Sequence, residues 1–343
     1  MILVTGGAGF VGRALVDALV RRGASVRIFD LRAPAWLEAS AYVPGQLEFM
    51  RGDVTFRPEV ARAMEGVETV FHLGAQLLLA GGGEAMRRIN VEGTRTVLEA
   101  ARHAGAAKVV YTSTGMLYAV GGGPTREDDP TVPSGPYGQS KLEAEGVCHE
   151  FLAAGLDLAI LRPLFVLGEG RLGLLHLLFD RVRRGRPIYL VGGGQNRFHM
   201  IGVADLAEAC ILASVPDRRG VFNVGVDAPS PVRVQMEALR DHAGSGSVIR
   251  PLPRALVQAA TMVLGRMGLS PLEDEQRQVA SQDRVLDTRR AKSELGFQPR
   301  FTDVAQLIAA YEWYLRARHM PRSYRSDWPD GGILSWKWID RLL

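Results

Sequence analysis

The first dozen residues constrain the fold more than any other stretch of the chain. Ile2, Leu3 and Val4 form a short apolar run with β-branched members, which predicts a buried parallel strand. Gly6, Gly7, Gly9 and Gly12 follow at once, and Val11, Ala14, Leu15, Ala18 and Leu19 then recur at helical spacing. Strand, glycine turn and helix in that order form the context that a dinucleotide fingerprint requires. The early glycines allow a tight turn and close backbone approach to a diphosphate. Gly12 lets the helix sit against the strand, and the helix start offers N–H groups and partial positive charge to the phosphates. A second strand, residues 25–29, leads to Asp30, the place where an acid meets the adenosine ribose. A carboxylate there accepts from both ribose hydroxyls and repels a 2′-phosphate, which favours NAD. Arg32 works against that preference and leaves NADP open.

Further alternation supports the same architecture. Apolar runs at 47–50, 68–73, 108–112 and 158–161 predict strands, and residues 58–64, 84–104 and 137–154 predict helices. The expectation is an α/β fold, a Rossmann-type doubly wound parallel sheet over residues 1–163. Right-handed crossovers would bring the strand ends to one edge. Beyond Pro163 the pattern loosens into helices at 172–184, 203–213, 232–242, 254–267 and 302–318, with short strands at 188–190 and 221–224. Residues 164–320 are therefore expected to form a smaller, mainly helical substrate-binding lobe, interleaved with the sheet edge. The C-terminal tail, 321–343, carries Trp328, Trp336 and Trp338; it reads as a strap on the protein's own surface, with a partner or weak membrane-surface contact as the alternative.

Composition narrows the class. The net charge of +4, from 41 Lys+Arg against 37 Asp+Glu, comes with no concentrated basic block, so no nucleic-acid partner is expected. Two cysteines, Cys148 and Cys210, suggest neither disulfides nor a metal cluster, which fits a reducing cytoplasm. His72, His103, His149, His176 and His199 are scattered without metal spacing, and Glu127, Asp128 and Asp129 read as a solvated loop. No run reaches the ~20 apolar residues of a membrane span. With a strand starting at residue 2, no signal peptide is expected.

The chemistry is expected in the middle of the chain. Tyr137 and Lys141 lie four apart on a predicted helix and face the same way. Ser113 and Thr114 stand just beyond the fifth strand, on the edge where such sheets bind ligands. A phenol normally loses its proton near pH ~10. A neighbouring ammonium and an oxidised nicotinamide both favour phenolate. Tyr137 could then take the proton of a substrate carbinol as hydride leaves, or protonate an alkoxide in reverse. Thr114 would hold the same oxygen by its hydroxyl, and Lys141 could also bond the nicotinamide ribose.

The blocks TGGAGFVG, GDV, FHLGAQ, NVEGTRTVLEAA, VVYTSTGMLY, GPYGQSKLEAE, LRPLFVLGEG, VADLAEA, FNVG and RRAKSELGFQP resemble, in order, those of the extended short-chain dehydrogenase/reductases, also called the NAD-dependent epimerase/dehydratase family. The resemblance covers nearly the whole chain. It implies a catalytic triad of Thr114, Tyr137 and Lys141. It also implies a cofactor site drawn from Gly6, Gly9, Phe10, Val11, Gly12, Asp30, Asp53, Val54, Leu73, Gly74, Ala75, Asn90, Thr112, Ser113 and Pro163, together with Tyr137 and Lys141. Members usually dimerise through the helices matching 84–104 and 137–154, so a homodimer is expected.

Departures from the family pattern bear on the reaction. Gly115 and Met116 stand where 4,6-dehydratases carry an Asp-Glu pair, which removes the acid and base needed to eliminate water. Pro163-Leu164-Phe165 replaces an asparagine common in sugar-nucleotide epimerases. The Arg-Pro-Gly-Asp turn of many epimerases is absent, although Arg277 and Asp283 lie in that region. Against these, GGGQNRFHMIGVADLAEA resembles the segment whose arginine contacts a nucleotide phosphate, matching Arg197. Substrate contacts are expected from Gln76, Met116, Phe165, Arg197 and His199. Apolar residues at 77–80, 164–165 and 174–178 suggest a greasy pocket, with ordinary lobe core as the alternative. The favoured expectation is an NAD(P)-dependent oxidoreductase for a secondary alcohol and its ketone, closest to the 3β-hydroxysteroid dehydrogenase-like and dihydroflavonol reductase-like branches. A UDP-sugar epimerase with tightly bound NAD and a non-catalytic NAD(P)-binding sensor are the alternatives.

Overall fold

The computed structural model describes residues 1–34, 36–37, 45–77, 83–119, 121, 123–133, 135–171, 175–257 and 282–318. Its centre is a seven-stranded parallel sheet. The first six strands are β1 (Ile2–Thr5), β2 (Val26–Asp30), β3 (Leu47–Arg51), β4 (Thr69–His72), β5 (Lys108–Thr112) and β6 (Leu158–Pro163). Chain order is interrupted later by β7 (Phe165–Leu167), β8 (Ile188–Val191) and β9 (Met200–Gly202), and the seventh sheet strand is β10 (Gly220–Val224). Across the sheet the order is β10-β6-β5-β4-β1-β2-β3. The direction of winding reverses between β1 and β4, and the register sets Thr5 beside both Phe29 and His72. Ligands of such sheets bind at that reversal, outside the carboxyl ends of the strands.

Both faces of the sheet are covered, which is why its strands read as unbroken apolar runs. On one face, α1 (Phe10–Arg21) and α7 (Val203–Ala213) bury Leu15, Val16, Leu19, Leu206 and Cys210 with Ile28, Phe71 and Leu161. On the other, α2 (Arg57–Ala63), α4 (Gly93–His103) and α5 (Pro136–Ala153) bury Val60, Val97, Leu98, Ala144 and Phe151 with Leu3, Val70 and Ile160. Each such aliphatic or aromatic side chain contributes about 1.5–3 kcal/mol by leaving water. The chain therefore returns to the sheet after Pro163, since α7 packs on α1 and Phe222 of β10 pairs beside Leu161 of β6.

The remaining elements form the second lobe. They are α6 (Leu175–Arg183), α8 (Val232–His242), α9 (Asp303–Ala317) and two parallel strand pairs, β7 with β9 and β8 with β11 (Ile249–Leu252). Phe179, Leu190, Met236, Leu239, Leu307, Tyr311 and Tyr314 are its core. β7, β9 and β11 were not expected from the sequence, because runs of three or four residues carry no measurable period. α9 begins where Thr302 Oγ1 accepts from Ala305 N–H at 3.2 Å, a side-chain cap.

Two local expectations change. Residues 84–104 are not one helix: α3 (Gly83–Arg87) passes through a π-helical turn (Arg88–Glu92) before α4. The added residue turns Asn90 inward, and Gly93 lets the helix close on Val54, whose Cγ2 would lie 2.8 Å from a Cβ there. Glu127 is half-buried rather than solvated, and its Oε1 accepts from Asn223 N–H at 2.8 Å. Leu78–Ala80, Leu174, Arg277, most of the helix expected at 254–267, and the three tail tryptophans lie outside the described residues. Among the described residues no helix is long and apolar enough to cross a membrane, and no acidic, histidine or cysteine cluster could hold a metal.

Candidate active site

The glycine turn is shaped by backbone crowding. Gly6 has φ +69°, and a Cβ on it would lie 2.7 Å from Gly74 N, in the segment leaving β4. A Cβ on Gly12 would lie 2.3 Å from Gly6 O. Gly9 caps α1 without a side-chain bond, and no acid stands in the first helical turn, where Phe10 and Val11 are half-buried. The helix start thus keeps its N–H groups and positive dipole end for an anion. Asp30, closing β2, accepts from Ala8 N–H at 3.1 Å and Leu31 N–H at 2.8 Å, which ties the turn to the second strand. Burial raises its pKa against the pull of those bonds.

Neighbouring segments complete the crevice. Val54 packs between Gly74 and Gly93, and the Asp53 carboxylate is held by Thr55 N–H and Oγ1 at 2.8 and 2.9 Å. Leu73 N–H bonds Thr5 O at 3.1 Å, which sets Leu73, Gly74 and Ala75 beside the turn. A cradle in which added Cβ atoms would strike backbone, above an uncapped helix start, fits the diphosphate of a dinucleotide.

The end of the crevice that carries Thr114, Tyr137 and Lys141 is built by β5, β6 and α5. Ser113 N–H bonds Leu161 O at 2.8 Å, and its buried Oγ has no partner among the described residues. Thr114 Oγ1 accepts from Met116 N–H at 3.2 Å, so its own proton is left to donate. Pro163 closes β6 and is buried. α5 opens with Pro136 after Gly135, at φ +103°, a start that carries no side-chain cap. Tyr137 is half-buried in the first turn, and Lys141 follows one turn later, only 2% exposed. The Lys141 ammonium donates to Thr112 O at 2.7 Å and lies 4.3 Å from the centre of the Tyr111 ring. Burial pushes its pKa down to about 8, while Cys148 and Glu145 pull it upward. At neutral pH the group remains mainly charged, on the residue one helical turn beyond Tyr137.

Asn90 links the parts. Its Oδ1 accepts from Gln76 N–H at 2.7 Å, and its Nδ2 donates to Gln76 O at 3.1 Å and to Ser140 Oγ at 2.9 Å. Met116 and Phe165 are half-buried on the lobe core, with the Phe165 ring 5.6 Å from that of Phe198. The other two expected substrate residues tie lobe segments to one another. Arg197 is exposed, and its Nη1 donates to Pro229 O at 2.7 Å. His199 accepts from Leu286 N–H on Nδ1 at 2.9 Å, which leaves Nε2–H to donate to Val226 O at 2.6 Å. Burial lowers its pKa, and both ring nitrogens serve the backbone.

The sequence did not mark Thr5, His72, Thr94, Ser140 and Tyr111 as part of this region. His72 sits in the FHLGAQ block and Ser140 in GPYGQSK, and Thr94 is one turn beyond Asn90; those spacings were the available signal. Arg284, buried with Nη1 3.0 Å from Met116 Sδ, had none.

The chain is similar to known proteins along most of its length. The profile of the NAD dependent epimerase/dehydratase family matches residues 2–225. The y4nG protein of Sinorhizobium fredii is 35% identical over 314 residues, covering 91% of this chain and 78% of that one. A 3 beta-hydroxysteroid dehydrogenase/Delta 5→4-isomerase of Mycobacterium tuberculosis is 31% identical over 342 residues, covering 92% of this chain and 90% of that one. Among solved structures, a UDP-glucose 4-epimerase of Thermotoga maritima with UDP-glucose has a TM-score of 0.73 at 26% identity, covering 93% of this chain and 99% of that one.

Proposed function

Because the chain belongs to the NAD-dependent epimerase/dehydratase family, we propose that it is an NAD-dependent oxidoreductase interconverting a secondary alcohol and its ketone, with Tyr137 as general acid/base. One observation carries the proposal: the buried Lys141 ammonium, fixed by Thr112 O at 2.7 Å, stands one turn from Tyr137 at the carboxyl edge of the sheet. Bound NAD would supply the hydride acceptor, or as NADH the donor. The glycine turn, the start of α1 and Asp30 would hold its diphosphate and ribose, and Val54, residues 73–75, Ser113 and Pro163 would line its path. Tyr137 takes the carbinol proton or returns it, and the Lys141 charge makes that phenol more acidic. The Thr114 hydroxyl donates to the same substrate oxygen.

Met116, Leu164, Phe165, Leu175 and Leu178 all pack on the lobe core, so the apolar substrate is supported instead by the departures from the sugar-nucleotide pattern and by the relatives. Gly115 and Met116 after Thr114 supply no acid or base for eliminating water. Similarity to the hydroxysteroid dehydrogenase supports the same substrate class. A sugar-nucleotide epimerase is the second reading, favoured by Arg197 on the exposed side of the lobe and by the Thermotoga maritima neighbour.

The test is NAD reduction with a panel of hydroxysteroids and long-chain hydroxyketones, set beside UDP-sugars without added cofactor. Tyr137→Phe should lose roughly 10²–10⁴-fold of turnover while binding NAD as the parent does. Turnover of UDP-sugars alone would transfer the assignment to the epimerase. Tyr137→Phe with full activity would remove Tyr137 from the chemistry, and binding of NAD with no turnover on any substrate would favour a sensor.

A further inference from the structure

Between the glycine turn and Tyr137 runs an unbroken line of buried hydrogen bonds. Thr5, the last residue of β1, lies with Oγ1 2.6 Å from His72 Nδ1. His72 Nε2 lies 3.0 Å from Thr94 Oγ1, and Thr94 Oγ1 donates to Asn90 O at 2.6 Å. Asn90 Nδ2 donates to Ser140 Oγ, and Ser140 Oγ donates to Tyr137 O at 2.8 Å. Thr5, His72 and Thr94 are wholly buried, and Asn90 and Ser140 are nearly so.

The protons along this line are assigned by elimination. Asn90 O carries no proton, so the single Thr94 hydroxyl proton must go to it. His72 Nε2 must then carry a hydrogen and donate to Thr94. A neutral imidazole has one N–H, so Nδ1 is bare and accepts from Thr5. Burial, helped by the nearby Lys141 charge, lowers the His72 pKa to about 3, which keeps the ring neutral; the Tyr111 ring lies 5.6 Å away. The Asn90 amide has one orientation as well, because Gln76 N–H and Gln76 O fix its oxygen and nitrogen.

The line ends at the start of α5. Gly135 offers no side-chain cap, so the first turn is held from the side, through Ser140 and Asn90. The π-helical turn puts Asn90 in reach, and Thr94 fastens the Asn90 carbonyl within it. We propose that His72, as the neutral Nε2–H tautomer, is a positioning residue for Tyr137: through Thr94 it locks the turn that carries Asn90, and through Ser140 that turn fixes the start of α5. The role in catalysis rests on Tyr137 being the acid/base; the tautomer and the anchoring do not.

The experiment uses the full-length protein. ¹⁵N NMR of labelled histidine, with His72 assigned by loss of its signal in His72→Gln, should show a protonated Nε2 and a bare Nδ1. Neither should titrate between pH ~5 and ~8, the range in which an ordinary histidine changes charge. An Nδ1–H tautomer, or titration in that range, overturns the proposal. Amide exchange at Gln139, Ser140 and Lys141 should quicken by about tenfold or more in Thr94→Val and return towards the parent rate in Thr94→Ser. Exchange in Thr94→Val at the parent rate also overturns it. With an active substrate, Thr94→Val should lower kcat by about tenfold or more with NAD affinity within about twofold, and Thr94→Ser should restore it. A parent protein that turns over nothing refutes the oxidoreductase reading, while the tautomer and exchange still decide this one.

Discussion

An ammonium group only 2% exposed is costly to keep, and Lys141 keeps one against a single carbonyl and an aromatic face. Its pKa falls from 10.5 in an unfolded chain to about 8. The unfolded state therefore binds this proton more tightly, so the burial penalty is full below pH ~8 and recedes as pH rises towards ~10.5. Lys141→Met should keep the parental Tm at pH 7 or raise it by roughly 2–4 °C, and the difference should narrow by pH ~10. Turnover should fall at least ~10²-fold in the same variant. A calorimetric Tm more than about 5 °C lower would mean that the ammonium holds the fold together rather than serving the site.

At the scale of elements, the glycine turn and α5 show two opposite uses of glycine. A Cβ on Gly12 would meet Gly6 O at 2.3 Å and Gly7 Cα at 2.6 Å, both backbone atoms that cannot move aside without moving β1 or α1. Gly12→Ala should therefore destabilise by about 2–4 kcal/mol in urea titrations and weaken NAD binding at least tenfold by calorimetry. Gly146, exposed in the middle of α5, has nothing within 4 Å of its would-be Cβ. Gly146→Ala should stabilise by about 0.5–1 kcal/mol with NAD binding unchanged, since only the unfolded chain loses freedom. Equal losses in the two variants would refute the crowding account of the turn.

Across the molecule, a buried ion pair joins parts remote in sequence. Arg162 of β6 grips Glu145 of α5 through two bonds, with Nε to Oε1 at 2.9 Å, and both side chains are at most 5% exposed. The same guanidinium donates to Glu127 O at 3.1 Å and to Tyr118 OH, and Tyr118 OH donates to Asn223 Oδ1 of β10 at 2.8 Å. Helix, two sheet strands, Tyr118 and Glu127 thus share one polar node, whose Glu145 lies one turn beyond Lys141 on α5. Glu145→Gln leaves the guanidinium without its counter-charge and should cost about 3–5 kcal/mol in denaturant unfolding. The double variant Glu145→Leu with Arg162→Met should lose less than that single variant. A double variant at least as damaged would show that the hydrogen bonds of the node outweigh the desolvation of its charges.

Much of this was legible in the chain. Strand, glycine turn and helix at residues 2–21, the acid at Asp30, and the four-residue step from Tyr137 to Lys141 are local patterns, and local geometry follows from residue type. β5 lies at 108–112 as the apolar run predicts, because a strand buried on both faces writes itself as continuous hydrophobicity. The π-helical turn at Asn90 was not legible, since an extra residue per turn is stabilised by Gln76 and Ser140, distant in sequence. Nor was the return of residues 203–224 to the sheet, where α1 and β6 supply the surfaces they cover. His72 shows the division most plainly. Its sequence position gives a strand end, but its neutral tautomer depends on which hydroxyl lies on each side, and those come from Thr5 and Thr94. Residue type sets which bonds a group can make; only the folded chain, by excluding water, decides which of them it must.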